Sequence, residues 1–421
     1  MPLFSEFSLD PAILKTLQEI GFNEPTPIQA ASIPPLLEGK DLLASAQTGT
    51  GKTAAFLLPL IHKIAHTSSY GGYPQALILV PTRELALQVA DAAKQFTRNH
   101  PQIKTVCIFG GVPYPVQRKS LSKRFSILVA TPGRLIDHIE QGRINLGGVQ
   151  TLILDEADRM LDMGFVDPVE HIASLCPQER QTLLFSATID NKILPLSKRL
   201  QKDALQLRMT PTEEAKKNIE QRLYIADDLN HKERLLERLL ETGELKQTIV
   251  FTSTKRQADS LARKLEQRGV AVSALHGDMR QRQRTRTVED MRRGHFDVLV
   301  ATDVAGRGID IPTLSHVVNF DLPNTAEDFI HRIGRTGRAG AKGTAISFAS
   351  HREKRNMHHI ERQLGSAIAI HTLEGLEPKF KDAPRPPSNG PRRPGAGGRR
   401  FGGPNRPSFG NKKRHFPSGN R

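Results

Sequence analysis

The stretch Ala46-Gln47-Thr48-Gly49-Thr50-Gly51-Lys52-Thr53 has residue types and spacing that could do chemistry on a phosphate. An apolar run, Asp41–Ser45, precedes it and reads as a short buried strand. Ala54–Ile64, rich in Ala, Phe and Leu, follows it and reads as a helix. Strand, Gly-containing turn ending in Gly-Lys-Thr, then helix start is the order of a phosphate-binding loop. Glycines let backbone N–H groups turn inward, and the helix N-terminus adds partial positive charge. Lys52 is then placed to reach the β- and γ-phosphates of a nucleotide, and the Thr53 hydroxyl to ligate Mg²⁺. One residue departs from the general pattern: Ala46 stands where a glycine usually opens the loop.

Three further groups could complete such a site. Asp155-Glu156 closes the apolar run Thr151–Leu154. A carboxylate there can hold Mg²⁺, directly or through water, opposite Thr53, and Glu156 can orient or deprotonate an attacking water. Upstream, Gly21-Phe22-Asn23-Glu24-Pro25-Thr26-Pro27-Ile28-Gln29 makes a rigid turn that could present Gln29 to a ligand. Its amide offers the donor and acceptor together that the N6/N7 edge of adenine requires. Downstream, His331-Arg332-Ile333-Gly334-Arg335-Thr336-Gly337-Arg338 spaces cations so that several can enter one cleft. Guanidinium groups from a second domain can stabilise charge on a transferring γ-phosphoryl group. Taken alone, such a cluster is more often a solvated basic surface.

Alternating elements must carry these groups. After the phosphate loop, Ala76–Val80, Thr105–Phe109, Ile127–Ala130, Thr151–Leu154 and Thr182–Phe185 are short apolar runs, and Thr82–Thr97 reads as a helix with Thr82 as its N-cap. Short apolar strands with intervening helices argue a parallel sheet covered on both faces, with ligands beyond the carboxyl ends of the strands. Pro81-Thr82-Arg83, Gly110-Gly111, Thr131-Pro132-Gly133-Arg134, Asp155–Asp158 and Ser186-Ala187-Thr188 all follow a strand. A polar stretch around 210–218 reads as a linker. A second series follows, with strands Gln221–Ile225, Thr248–Phe251, Ala271–Leu275, Val298–Ala301, His316–Asn319 and Thr344–Phe348. Its helices include His231–Thr242, Arg256–Arg268, Gln281–Arg293 and Ala326–Ile333. This is a second α/β domain with no phosphate loop of its own.

The net charge of +16 is uneven: residues 383–421 hold ten Lys or Arg and no Asp or Glu, more than half of the excess. That tail mixes cations with Pro, Gly, Asn and Ser around Phe401, Phe409 and Phe416. It has too little apolar content to fold, so disorder is expected, with cations for phosphates and aromatics to stack on bases. A basic balance without an amphipathic basic helix points to nucleic acid before membrane. The 2 cysteines, Cys107 and Cys176, match no disulfide framework or zinc spacing and read as buried thiols. No signal peptide or long apolar stretch is present, so a soluble, cytoplasmic protein is expected.

Together these residues resemble the DEAD-box family of RNA-dependent ATPases and helicases, from about Phe4 to Phe348, through an ordered set of motifs. The resemblance implies two tandem RecA-like domains, each a mostly parallel sheet with helices on both faces, plus the disordered basic tail. Its segments would be 1–40 (adenine-reading), 41–209 (first domain), 210–218 (linker), 219–375 (second domain) and 376–421 (tail). Gly21–Gln29 looks like the family's adenine-reading motif, with Phe22 stacking and Phe4 upstream. Ala46–Thr53 matches its phosphate loop, in which the opening alanine is usual. Asp155–Asp158 is the motif that names the family, and Ser186–Thr188 is similar to its coupling motif. Pro81, Thr82, Arg83, Gly110, Gly111, Thr131, Pro132 and Arg134 would contact the RNA backbone from the first domain. Thr252, Thr254, Gln281, Arg284 and Thr302 would do so from the second. Asp310 would contact the ATP ribose, Arg335 and Arg338 would be arginine fingers, and His331 would join the cleft network. The family often has Ala or Ser at the Gly306 position, so a glycine there is expected to loosen the backbone. The implied activity is an ATP-dependent RNA helicase of a bacterial type using ATP and Mg²⁺. Ribosomal particles or RNA-decay proteins are possible associates, and no membrane is involved. An ATP-gated RNA clamp and a DNA helicase are the alternatives.

Overall fold

Runs such as Ala76–Leu79, Ile127–Ala130 and Thr151–Leu154 are buried at every position, as continuous apolar strands must be when helices cover both faces of a sheet. The computed structural model describes residues 3–46, 49–67, 73–209, 218–306, 311, 314–337 and 341–379. All of these belong to one compact unit ending at Lys379. Gln47, Thr48, Asp310, Arg338, most of the expected linker and the tail from residue 380 lie outside the described residues.

The first sheet contains β1 (Leu42–Ser45), β2 (Ala76–Leu79), β3 (Thr105–Ile108), β4 (Ile127–Ala130), β5 (Thr151–Leu154), β6 (Gln181–Ser186) and β7 (Leu205–Arg208). The second contains β8 (Ile219–Ala226), β9 (Thr248–Thr252), β10 (Val272–Leu275), β11 (Val298–Thr302), β12 (His316–Asn319), β13 (Gly343–Ser350) and β14 (Ala369–His371). Each is a 7-stranded sheet, ordered β3-β4-β2-β5-β6-β1-β7 and β10-β11-β9-β12-β13-β8-β14, so the two follow the same plan. Neighbouring strands pair in parallel, as at β1 with β6 (Leu42 opposite Leu183) and β11 with β9 (Thr302 opposite Thr252). These are the two tandem RecA-like domains. The edge strands β7 and β14, and the helix Lys354–Leu364, were not anticipated from sequence. Both edge strands are largely exposed; β7 carries no continuous apolar run, and β14 is only 3 residues long.

Helices of the first domain are α1 (Pro11–Glu19), α2 (Pro27–Leu37), α3 (Lys52–His66), α4 (Arg83–Phe96), α5 (Tyr114–Leu121), α6 (Pro132–Glu140), α7 (Ala157–Asp162), α8 (Val166–Ser174) and α9 (Ile193–Leu200). In the second domain they are α10 (Leu229–Glu241), α11 (Lys255–Gln267), α12 (Gln281–Arg292), α13 (Asp303–Gly306), α14 (Ala326–Ile333) and α15 (Lys354–Leu364). Side-chain caps fix several helix starts just beyond strand ends. The Thr82 hydroxyl accepts from Leu85 N at 3.3 Å, and the Thr254 hydroxyl from Gln257 N at 3.2 Å. Each cap satisfies a backbone donor left over at its helix start.

Apolar cores lie between sheet and helices in each domain; Phe56 of α3 packs on Phe185 of β6 with ring centroids 5.3 Å apart. Desolvation pushes the Cys107 thiol up to about 12 and the Cys176 thiol to about 11, so both stay protonated; Cys176 is buried as expected, whereas Cys107 is half-buried. Residues 376–379, counted with the tail in the sequence reading, pack on the second domain. His231 Nε2 lies 2.9 Å from the Leu376 carbonyl, and Lys379 N donates to Asp227 at 2.9 Å.

Candidate functional site

Gly51 ends the phosphate loop with φ 91°, in the left-handed region, and caps α3. A Cβ there would sit 2.4 Å from Gln29 Nε2, so only glycine leaves room for the Gln29 amide, which donates to Gly51 O at 3.1 Å. The Gln29 carbonyl accepts from Thr26 N at 2.9 Å and so also closes the start of α2. The side chain read as adenine-directed is therefore a bridge between the N-terminal segment and the phosphate loop. It retains one further N–H and one lone pair.

Lys52 opens α3, is 7% exposed, and among the described residues its ammonium has no hydrogen-bond partner. A buried cation without a partner costs several kcal/mol in an apolar setting, which makes it a natural seat for an anion. It lines a cavity of about 340 Å³ together with Phe22, Gln29, Gly49, Gly51, Thr53, Asp155, Glu156 and Arg335. Phe22 is 39% exposed and stands edge-on to Phe96 at 5.9 Å. Ala46, fully buried, continues the β1–β6 ladder through Ala46 N to Ser186 O at 3.0 Å.

The acidic strand end is equally buried. Burial pushes the Asp155 carboxyl up to about 6 against the pull of Lys52. Glu156 has φ 53° and caps α7, a backbone strain of the kind that aims a side chain. Burial raises its carboxyl, but Arg159, His331, Arg335 and Lys52 outweigh that and leave it below the usual range. Arg159, which the sequence reading missed, donates to Glu156 at 3.2 Å, with both side chains buried. Asp158 Oδ2 accepts from Ala187 N at 2.9 Å and faces His331 Nε2 of the second domain at 3.7 Å. Burial opposes charge on Asp158, but His331, Lys52 and the Ala187 N–H hold it well below the usual carboxylate range. Ser186 and Thr188 close the same turn, Thr188 N donating to the Ser186 hydroxyl at 3.3 Å.

From the second domain, Arg335 enters this cavity, its Nε donating to the His331 carbonyl at 3.1 Å. Arg332, also missed in sequence, holds that segment down. It grips Asp303 with two bonds of 2.6 and 2.7 Å and lies over the Phe251 ring at 5.1 Å. Gly306 has a packing role rather than a loosening one. A Cβ on it would meet the Phe251 ring at 2.5 Å.

A second cleft, of about 330 Å³, is lined by Pro81, Thr82, Arg83, Glu84, Gly110, Thr131, Gly133, Arg134, Gly277 and Arg284. Both domains contribute. Arg83 donates to Gln281 at 3.3 Å, and Arg284 bonds Glu84 at 2.6 Å with both side chains largely buried. Glu84 was not singled out in sequence. Gly111, at φ 86°, would bring a Cβ within 2.4 Å of the Arg83 guanidinium. Arg134 donates to Val112 O at 2.8 Å and lies 4.3 Å over the Tyr114 ring. Pro132 opens α6 behind Thr131. Thr252, Thr254 and Thr302 do not line this cleft. Thr252 and Thr302 are paired at the ends of β9 and β11, and Thr254 caps α11.

Among the described residues no three metal-ligating side chains cluster. Mg²⁺ bound with a nucleotide needs few protein ligands, since phosphates and waters supply the rest, so Asp155 and Thr53 suffice for it. No helix among the described residues is long and apolar enough to cross a membrane.

Two family models match the chain: DEAD/DEAH box helicase over residues 26–196, and helicase conserved C-terminal domain over residues 231–340. The ATP-dependent RNA helicase SrmB of Escherichia coli is 44% identical over 380 residues, covering 90% of this chain and 85% of that protein. The DEAD-box ATP-dependent RNA helicase RhpA of Helicobacter pylori is 42% identical over 369 residues, covering 88% and 74%. Among solved structures, S. cerevisiae Dbp5 bound to RNA and ADP BeF3 is similar with a TM-score of 0.79 and 33% identity, over 87% of this chain and 95% of that one.

Proposed function

The chain belongs to the DEAD-box family of ATP-dependent RNA helicases, and from that premise we propose that ATP in the first cleft and RNA in the second hold its two domains closed, and that hydrolysis releases them to remodel RNA duplexes. The observation that carries this reading is the Lys52 ammonium, without a hydrogen-bond partner among the described residues, in a cavity that Arg335 enters from the other domain. Neither domain alone completes such a site, so each ligand gains contacts available only in the closed arrangement.

In this reading Gln29 and Phe22 receive the adenine, and Asp310 the ribose. Lys52, Thr53 and the Gly49–Gly51 backbone receive the phosphates. Mg²⁺ held near Thr53 and Asp155 would neutralise phosphate charge. Glu156, kept ionised by its cationic neighbours, orients the attacking water and takes up its proton. Arg335, with Arg338, offsets charge on the transferring phosphoryl group. Asp158 couples the sites, because its Oδ2 both fixes the Ser186–Thr188 turn and faces His331. Thr82, Arg83, Gly110, Gly111, Thr131, Arg134, Gln281 and Arg284, with Thr252, Thr254 and Thr302 alongside, hold the RNA backbone. Contacts of that kind read A-form shape and 2′-hydroxyls rather than sequence. The basic tail adds affinity. A cytoplasmic setting, with ribosomal particles or RNA-decay proteins as associates, goes with this reading.

The test is steady-state ATP hydrolysis without nucleic acid, with single-stranded RNA and with DNA of the same sequence, alongside Glu156→Gln. Stimulation by RNA alone, lost at least ~100-fold in the variant, is expected. Equal stimulation by DNA would overturn the RNA assignment. Hydrolysis without strand displacement in a duplex assay would make the protein an RNA clamp instead.

A further inference from the structure

Residues 92–136 contain eight Lys or Arg and no Asp or Glu. Of these cations, Lys94, Arg98 and Arg134 have carboxylate partners drawn from outside the segment: Asp91, Glu19 and Asp137. Lys104, before β3, and Arg118, Lys119, Lys123 and Arg124 do not. The last four are exposed on α5 and the turn after it, and among the described residues none has a side-chain hydrogen bond or ion pair. Like charges this close repel one another; the C-terminal end of α5 offsets part of that for Arg118 and Lys119, but among the described residues no carboxylate does.

The position of α5 suggests what does. The helix begins at Tyr114, with two residues between it and Gly110-Gly111 at the rim of the cleft proposed for RNA. Its first turn is pinned to that rim: the Arg134 guanidinium stacks on Tyr114, and Gln117 donates to Phe109 O at 2.7 Å. The strand before it, β3, is the edge of its sheet, so no further strand lies outside it. A strand leaving the cleft past Gly110-Gly111 therefore meets α5.

We propose that Arg118, Lys119, Lys123 and Arg124 form an auxiliary phosphate-binding face that holds RNA where it continues out of the cleft, over the β3 edge. This rests on the reading of that cleft as the RNA site. The face carries charge and no hydrogen-bonding geometry aimed at bases, so it binds phosphodiester backbone without regard to sequence. Its contribution falls steeply with salt.

The test uses the full chain and a variant with Arg118, Lys119, Lys123 and Arg124 all replaced by Gln. A control replaces Arg256, Arg263, Lys264 and Arg268 of α11 and its cap by Gln, which removes equal charge elsewhere. Half-maximal RNA for ATPase stimulation is read with a single strand just long enough to saturate hydrolysis. It is read again with that strand extended as single strand or as duplex. Wild type should need less extended RNA than short RNA. The α5 variant should need about tenfold more extended RNA, with a log–log salt slope shallower by about 2 to 3. Short-RNA response, basal hydrolysis and maximal rate should be unchanged. An advantage with either extension supports the proposal and identifies the form held. A variant that keeps the full advantage of extended RNA, or an equal loss in the α11 control, overturns it. So does a wild type indifferent to extension. If no RNA stimulates the wild type at all, the reading of the cleft fails first and this face with it.

Discussion

Lys52 lies in the field of the Asp155, Glu156 and Asp158 carboxylates, yet among the described residues its ammonium has no hydrogen-bond partner and keeps its donors for a ligand. Lys52→Met keeps the length of the side chain and removes its charge. ATP hydrolysis should fall at least ~100-fold, while the unfolding temperature of the nucleotide-free chain should drop only slightly, since no hydrogen bond among the described residues is lost and only the pull of the ammonium on Asp155, Glu156 and Asp158 goes. A clear loss of thermal stability would mean that the ammonium has a structural partner. Gly306 is the opposite case, a residue without a side chain whose neighbours forbid one. Gly306→Ala should destabilise the chain by roughly 1–3 kcal/mol in denaturant titration, because the new methyl meets Phe251. Phe251→Leu in the same chain should recover part of that. The sequence made the strand-end motifs legible, since each lies beside a recognisable strand and carries a chemically specific residue. Arg159, Glu84 and Arg332 stayed hidden. Each is an ordinary charged residue until its partner is known, and Glu84 and Arg284 are 200 positions apart.

At the scale of elements, α1 is tied to the far end of the phosphate-loop helix by a bond that depends on protonation. Asp10 N, at the cap of α1, donates to His62 Nδ1 of α3 at 3.1 Å, which requires that nitrogen to be bare. Burial, then His66, holds the His62 pKa below its ordinary 6.5, against the opposing carboxylate of Asp10. His66 and His100 also face Asp10, at 3.7 and 3.0 Å. The unfolded chain then binds a proton on His62 more readily than the folded one, so this share of stability is present at neutral pH and lost as pH falls below 6.5. Unfolding free energy measured at pH 7 and pH 5 should decline. His62→Asn, whose carbonyl can accept the same N–H at any pH, should flatten the decline by less than about 1 kcal/mol, as the ring is partly exposed. An unchanged pH profile would count against the bond. Strands such as β2 and β4 were readable because they are apolar at every position. The edges β7 and β14 were not, because β7 alternates Leu with Gln and Arg and β14 is only 3 residues long, both largely exposed.

For the whole molecule, the contact that tests closure is Glu84 with Arg284. Removing one member leaves the other charge buried and unpaired, which is costlier than never having had the pair. Glu84→Gln should therefore lower RNA-stimulated hydrolysis about tenfold or more and leave RNA-free hydrolysis near wild type. Exchanging the charges, Glu84→Arg with Arg284→Glu, should restore part of the loss. Full activity in the single variant would show the pair to be incidental. Ending the chain after Asp382 should raise the RNA needed for half-maximal hydrolysis and leave the maximal rate nearly intact. An unchanged RNA requirement at low salt would exclude the tail from binding.

Arg83 and Glu84 are consecutive, and their partners Gln281 and Arg284 lie one helical turn apart on α12. His331 meets Asp158 behind the acidic strand end of the other cleft. An instrument maker seats one body on another in the same fashion, with a pair of pins at one side and a single stop at the other. Two pins alone leave a rocking axis, and one stop alone leaves a pivot. With all three engaged, the tip of Arg335 has a fixed address. Losing any one should show as a loss of timing between the two ligands before it shows as a loss of grip on either.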